Sequence, residues 1–332
     1  MCGFFLSRGQ VEVQSQSRIK QWITEMGLRR YLHLLVLTLV AYYLVSQIVP
    51  NWSQLKQYNY HQDPVYGLLS FFCLLIYFAA MAWNWKAILT AYYKEQVSLS
   101  EAFRIISLAQ LGKYIPGGFW ALVGQTHLGG KVGLPKAPIL KSTLLHLMFT
   151  LVSGLEIFLF WRITVAGGEA KWAFVGLLSV VVVFSVTPFY LEGLFDWLVK
   201  FLRREETTYL PNSWTVVKTI RFQLLFVCCW LWLGLALWLF VNSLTILPAQ
   251  LYLDALGAFA VSWVLGVLNV VTPAGIGTRE AGFIFFLKDV LPASDVIVIA
   301  LASRLWITLA ELTCAAVAWK LGGQRNPSRL TE

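Results

Sequence analysis

Apolar runs of about 20 residues recur along this chain, and they decide what it can fold into. A helix rises about 1.5 Å per residue, so about 20 residues cross a hydrocarbon core of about 30 Å. Inside such a core every backbone N–H and C=O must find its partner within the chain, so the runs read as transmembrane helices. The composition agrees: 58% of the 332 residues are hydrophobic, 13% are charged, and the mean hydropathy is +0.66. A soluble domain carries about twice that share of charge. A soluble enzyme, a disordered chain and a disulfide-stapled secreted module are excluded. The expected fold is an all-α, polytopic integral membrane helical bundle.

Spans are expected near Tyr31–Val49, Val65–Tyr92, Ile139–Trp161, Trp172–Tyr190, Phe222–Leu247, Leu251–Val271 and Ser294–Trp319, with a shorter apolar piece at Ala281–Leu291. Residues 1–30 form a basic cytoplasmic segment, 31–320 a single transmembrane domain and 321–332 a cytoplasmic tail. The first span follows the basic segment and reads as an uncleaved signal anchor. Lys and Arg crowd the loops 94–141 and 200–221 and are sparse in those between. The positive-inside rule therefore places the N-terminus, both rich loops and the tail in the cytoplasm. The net charge of +9 is assigned to these loops and to anionic lipid headgroups, not to nucleic acid. A cytoplasmic tail needs an even number of crossings, so seven or eight spans are expected, the eighth only if 273–291 crosses or dips as a broken helix.

Two segments interrupt the apolar pattern. The first, about 99–130, contains Gly112-Lys113-Tyr114-Ile115-Pro116-Gly117-Gly118-Phe119-Trp120 and then Gly124-Gln125. The second, about 272–291, opens Thr272-Pro273-Ala274-Gly275-Ile276-Gly277-Thr278-Arg279-Glu280. Pro and Gly free backbone polar groups at membrane depth, and such groups are tolerated where they are buried in protein or line a wet cavity. Broken segments at corresponding places in two halves of a chain point to a transporter binding site, in a pattern compatible with re-entrant segments and an inverted repeat. Their half-helix N-termini would face an anionic ligand.

Charges inside apolar spans are costly and mark a partner or a task. Glu156, Arg304 and Glu311 are such charges. Arg304 and Glu311 are seven residues apart and share a helix face, reading equally as a polar headgroup path or as interhelical salt bridges. Glu156 is expected opposite a basic group. Arg279 could grip a phosphate through two N–H donors while its neighbour Glu280 caps a helix or reaches a distant cation. Asp254, at a span start, reads as a helix cap. The four histidines share no ligand spacing, the five cysteines form no C-x-x-C, and no nucleotide-binding loop is present, so no metal or cofactor is expected.

The runs at 112–120 and 273–280 resemble the two signature regions of the lysylphosphatidylglycerol synthase transmembrane family, the second run being the more specific. The resemblance covers most of the chain in length, topology and motif order. It implies an integral protein of the bacterial inner membrane that moves, or helps to move, a lipid between leaflets. The 332 residues hold no soluble aminoacyltransferase domain, so lipid aminoacylation is not expected. The leading expectation is a non-enzymatic, flippase-like translocase for an anionic phospholipid or polyprenyl-linked lipid, with homo-oligomers or envelope-biosynthesis proteins as further partners. Its expected substrate site combines Lys113, Tyr114, Pro116, Gly117, Gly118, Trp120 and Gln125 with Pro273, Gly275, Gly277, Arg279 and Glu280, and adds Glu156, Arg304 and Glu311. Two other classes stay open: a glycosyltransferase using a polyprenyl-phosphate sugar, and a scaffold of an envelope or glycan assembly machine.

Overall fold

The computed structural model describes residues 63–115, 119–165, 215–269, 275, 277–288 and 290–322, with isolated positions at 38, 42, 45, 49, 172, 174–176 and 179. The chain divides into two compact units, 1–47 and 48–332, and the account below concerns the second. Among the described residues all regular structure is helical. In chain order the helices are α1 (Pro64–Tyr93), α2 (Leu99–Gln110), α3 (Trp120–Gly130), α4 (Lys136–Val165), α5 (Val216–Asn242), α6 (Tyr252–Leu268), α7 (Thr278–Leu287) and α8 (Ala293–Gly322). A 3₁₀ turn, Leu111–Tyr114, follows α2, and another, Ala249–Leu251, leads into α6.

Local chemistry sets the ends. Pro64 opens α1, and Asp63 Oδ1 accepts the Val65 N–H at 2.9 Å. Ser98 and Glu101 make reciprocal bonds at the start of α2. Thr215 caps α5.

Five helices are long and apolar enough to cross a membrane: Pro64–Ala91, Lys136–Thr164, Val216–Asn242, Ala249–Leu268 and Asp295–Leu321. They fit a multi-pass membrane protein and match five of the expected spans. The expected spans at Tyr31–Val49 and Trp172–Tyr190 lie almost wholly outside the described residues, as do 1–30 and most of the tail. The apolar piece 281–291 does not form an eighth crossing by itself. Its helix α7 has 10 residues, about 15 Å or half a hydrocarbon core.

The bundle packs as a membrane protein would. Aromatic and aliphatic side chains fill its middle, where Phe149 of α4 stacks on Phe226 of α5 at 5.5 Å between ring centroids. Small residues admit large ones between helices: Gly154 lies against Trp230, and Gly257 against Trp161. Apolar side chains also face outward, with Leu68 73% and Val217 76% exposed. An apolar exterior of this kind suits hydrocarbon.

Both interrupted segments fold back as antiparallel helical pairs. In the first, Ala109 of α2 meets Gly124 of α3, while a Cβ on Gly112 would stand 2.8 Å from the backbone of Trp120 and Ala121. Stepping forward along α2 thus means stepping back along α3. In the second, Gly266 meets Arg279, Ser262 meets Gly282, and the rings of Phe259 and Phe283 lie 6.1 Å apart. At 12, 11 and 10 residues, α2, α3 and α7 are all short of a bilayer crossing.

Candidate functional site

A cavity of about 600 Å³ lies among α1, the α2–α3 hairpin, α4, the α6–α7 hairpin and α8. Three of the long helices contribute stripes at three- and four-residue spacing, and α5 adds Leu233 alone. From α1 come Leu74, Tyr77, Phe78 and Met81, from α4 Thr143, His146, Leu147 and Thr150, and from α8 Ile307, Glu311 and Cys314. The first hairpin adds Gln110, Lys113 and Gln125, and the second adds Trp263, Asn269, Gly275 and Arg279.

Two ion pairs fasten these hairpins to α8. Lys113 Nζ donates to Glu311 Oε1. The Tyr114 hydroxyl donates to Glu311 Oε2 at 2.8 Å and lies 3.0 Å from the Thr308 hydroxyl. Glu311 is thereby gripped by two consecutive residues of the 3₁₀ turn. Seven residues earlier, Arg304 Nε donates to Glu280 Oε1 at 2.5 Å, and its Nη2 donates to the Gly275 carbonyl at 3.3 Å. Glu280 Oε2 accepts the Gly277 N–H at 2.8 Å, so one carboxylate both caps α7 and anchors it to α8. The shared face of Arg304 and Glu311 therefore carries two separate interhelical pairs.

Backbone conformation brings the second hairpin to the cavity. Gly275 has φ +69°, and a Cβ there would stand 2.6 Å from the Gly266 carbonyl oxygen. No other residue type fits that combination without displacing backbone. The absence of a side chain on Gly266 also admits Arg279, whose stem lies across its Cα. The Arg279 guanidinium sits 5.4 Å from the centre of the Trp263 ring, a cation–π contact at the cavity wall. Burial holds the Lys113 ammonium below the ordinary lysine range. Desolvation outweighs the attraction of Glu311, and the nearby Arg279 and Arg304 charges push the same way as burial.

Of the residues expected at the site, Lys113, Gln125, Gly275, Arg279 and Glu311 line one cavity. Tyr114, Glu280 and Arg304 stand behind them as partners. Pro116, Gly117, Gly118 and Pro273 lie outside the described residues. Trp120 is stacked on Phe119 at 4.9 Å, and Phe119 rather than Trp120 reaches the cavity. Gly277 is exposed, at the start of α7.

Two expectations are corrected. Among the described residues Glu156 pairs with no basic group, and it does not line the cavity: it accepts from Gln223 Nε2 at 2.7 Å, an amide on α5. Asp254 does not cap α6, whose N-cap is Leu251; buried in the first turn, it accepts from the Trp161 indole at 3.0 Å. Sequence reasoning missed the contributions of α1 and α4. Their signal was present in Thr143, His146 and Thr150, polar groups at helical spacing in an apolar span, where His146 was weighed only as a metal ligand. The His146 Nε2 lies 3.1 Å from the Met81 carbonyl, which ties α4 to α1. Among the described residues no group of three or more His, Cys, Asp or Glu could hold a metal ion.

No family model matches the chain, and neither does any curated protein or solved structure.

Proposed function

We propose that this chain is a lipid translocase of a bacterial cytoplasmic membrane, with its N-terminus inside. On this reading it is a stand-alone member of the lysylphosphatidylglycerol synthase transmembrane family. The observation that carries the reading is the cavity of about 600 Å³, where Lys113 of one interrupted segment and Arg279 of the other share a wall with apolar side chains of α1 and α4. Its volume falls within the range of small-ligand sites, about 300–1,000 Å³. A phosphate between an ammonium and a guanidinium forms charge-assisted hydrogen bonds. Gly275 lets the break pack against Gly266 and so brings Arg279 to the wall. The headgroup enters this wet, charged space while its acyl chains stay in lipid, so the charge never meets bare hydrocarbon. The α2–α3 and α6–α7 hairpins act as re-entrant elements, and their pairs with α8 hold the walls in register.

The test is native mass spectrometry of lipids retained by purified wild-type protein and by Arg279→Ala, paired with a leaflet-to-leaflet assay in proteoliposomes. The wild type is expected to retain an anionic lipid above its bulk share and to move it. The variant, folded and inserted, is expected to lose both properties. Equal retention and equal movement by a folded Arg279→Ala protein would overturn the reading.

A further inference from the structure

Among the described residues, the full charges on the cavity wall are Lys113, Arg279 and Glu311. His146 adds no negative charge in either protonation state, so the wall is net positive. Glu311 is its one carboxylate, and both oxygens are engaged, Oε1 by Lys113 and Oε2 by Tyr114. A headgroup bearing an ammonium would meet two cations and a carboxylate already taken, and a buried charge without a counter-charge is strongly disfavoured. The other polar groups on the wall are neutral. Ser107 carries a hydroxyl and Gln110 an amide, while the Asn269 amide donates to the Thr278 hydroxyl. Gln125 accepts from Thr143 at 2.5 Å through its carbonyl and keeps its NH₂ donors. Hydroxyls and amides of this kind serve the hydroxyl groups of a ligand.

The geometry points to a headgroup with net negative charge and hydroxyls in place of an amine, and to Lys113 as the residue that sets this preference by keeping Glu311 from recruiting ammonium groups. This rests on the reading of the cavity as a headgroup site. Lys113 has two tasks here: it contributes positive charge to the wall and neutralises Glu311. Exclusion through an unmet charge is as much a source of specificity as attraction.

The experiment uses full-length protein in nanodiscs of phosphatidylglycerol and phosphatidylethanolamine in equal amounts, with retained lipids counted by native mass spectrometry. Both lipids carry a phosphate, so the comparison sets headgroup hydroxyls against a headgroup amine. Wild type and Lys113→Arg are expected to favour phosphatidylglycerol by roughly tenfold or more. Lys113→Met exposes Glu311 and is expected to lose that preference by gaining phosphatidylethanolamine. Glu311→Gln removes the acid and is expected to keep the preference, which decides the matter should Lys113→Met fail to fold. A folded Lys113→Met protein that still rejects phosphatidylethanolamine overturns the inference, as does a Glu311→Gln protein without the preference. Wild-type protein that retains both lipids equally, and loses both in Arg279→Ala, overturns the selectivity while the headgroup site stands. Wild-type protein that retains neither above bulk overturns the site itself.

Discussion

The two hairpins reach α8 by ion pairs of opposite polarity. In the first, the hairpin supplies the cation Lys113 and α8 the carboxylate Glu311. In the second, the hairpin supplies the carboxylate Glu280 and α8 the cation Arg304. Their surroundings differ as much as their signs. Arg304 and Glu280 are 8% and 10% exposed and stand behind the wall, with Glu280 also capping α7. Lys113 is 19% exposed and Glu311 3%, and both line the cavity, so it is the lysine of this pair that open space reaches. A buried pair with a second structural task holds the fold. A pair whose lysine faces the cavity is, on the proposed function, the one a ligand would reach. The difference separates a rivet from a working contact, and α8 carries both on one face.

The sharpest way to break that distinction is to remove each contribution of α8 in turn. Arg304→Met leaves the Glu280 carboxylate buried without its cation, and breaking a buried pair in this way costs about 3–5 kcal/mol. It should show as a large fall in unfolding temperature in detergent. Glu311→Gln keeps an acceptor for Tyr114 and leaves behind a lysine that water can still reach, so its cost should be about 1–2 kcal/mol. Equal losses from the two variants would abolish the distinction.

Between those two effects falls a test of the backbone. Gly275→Ala combines a positive φ with a Cβ only 2.6 Å from the Gly266 carbonyl oxygen. Gly277 shares the positive φ, at +80°, but an added Cβ there meets nothing within 4 Å. Gly277, with ψ −44°, lies near the classic γ-turn rather than in the left-handed helical well, and holding an alanine in so sparsely populated a conformation costs about 1–3 kcal/mol. Gly277→Ala should therefore lose about 2 kcal/mol and Gly275→Ala about 3 kcal/mol or more, the excess measuring how tightly the break is seated on α6. The same scans that follow Arg304→Met would read both.

Much of the bundle was legible because apolar run length translates directly into spans: the five apolar helices fall where the runs do. The seven-residue spacing of Arg304 and Glu311 likewise announced a shared face. Their partners were not legible, because Glu280 and Lys113 lie 24 and 198 residues away and only the antiparallel folding of each break brings them near. Glu156 shows the opposite failure. A carboxylate in an apolar span suggested a counter-charge, but its partner among the described residues is one amide from α5, and nothing in its local sequence distinguishes the two outcomes. Short helices were hardest to read, since from Ala281 on α7 is an apolar run like the start of a span and its 10 residues stop short of one.

The smallest expected effect concerns how the first hairpin starts, and it sharpens the comparison from the other side. The second hairpin is capped from within the buried pair, so its cap and its anchor cannot be removed separately. The first is capped at Ser98, exposed and far along the chain from the Lys113 turn, where the Ser98 hydroxyl accepts the Glu101 N–H at 3.2 Å. Ser98→Ala should therefore cost about 1 kcal/mol, the ordinary value of an exposed N-cap. Because the cap is independent of the cavity, lipid retention by native mass spectrometry should be unchanged. If Ser98→Ala instead releases lipid as Arg279→Ala is expected to, the start of α2 is coupled to the Lys113 turn, and the first hairpin is as rigidly built as the second.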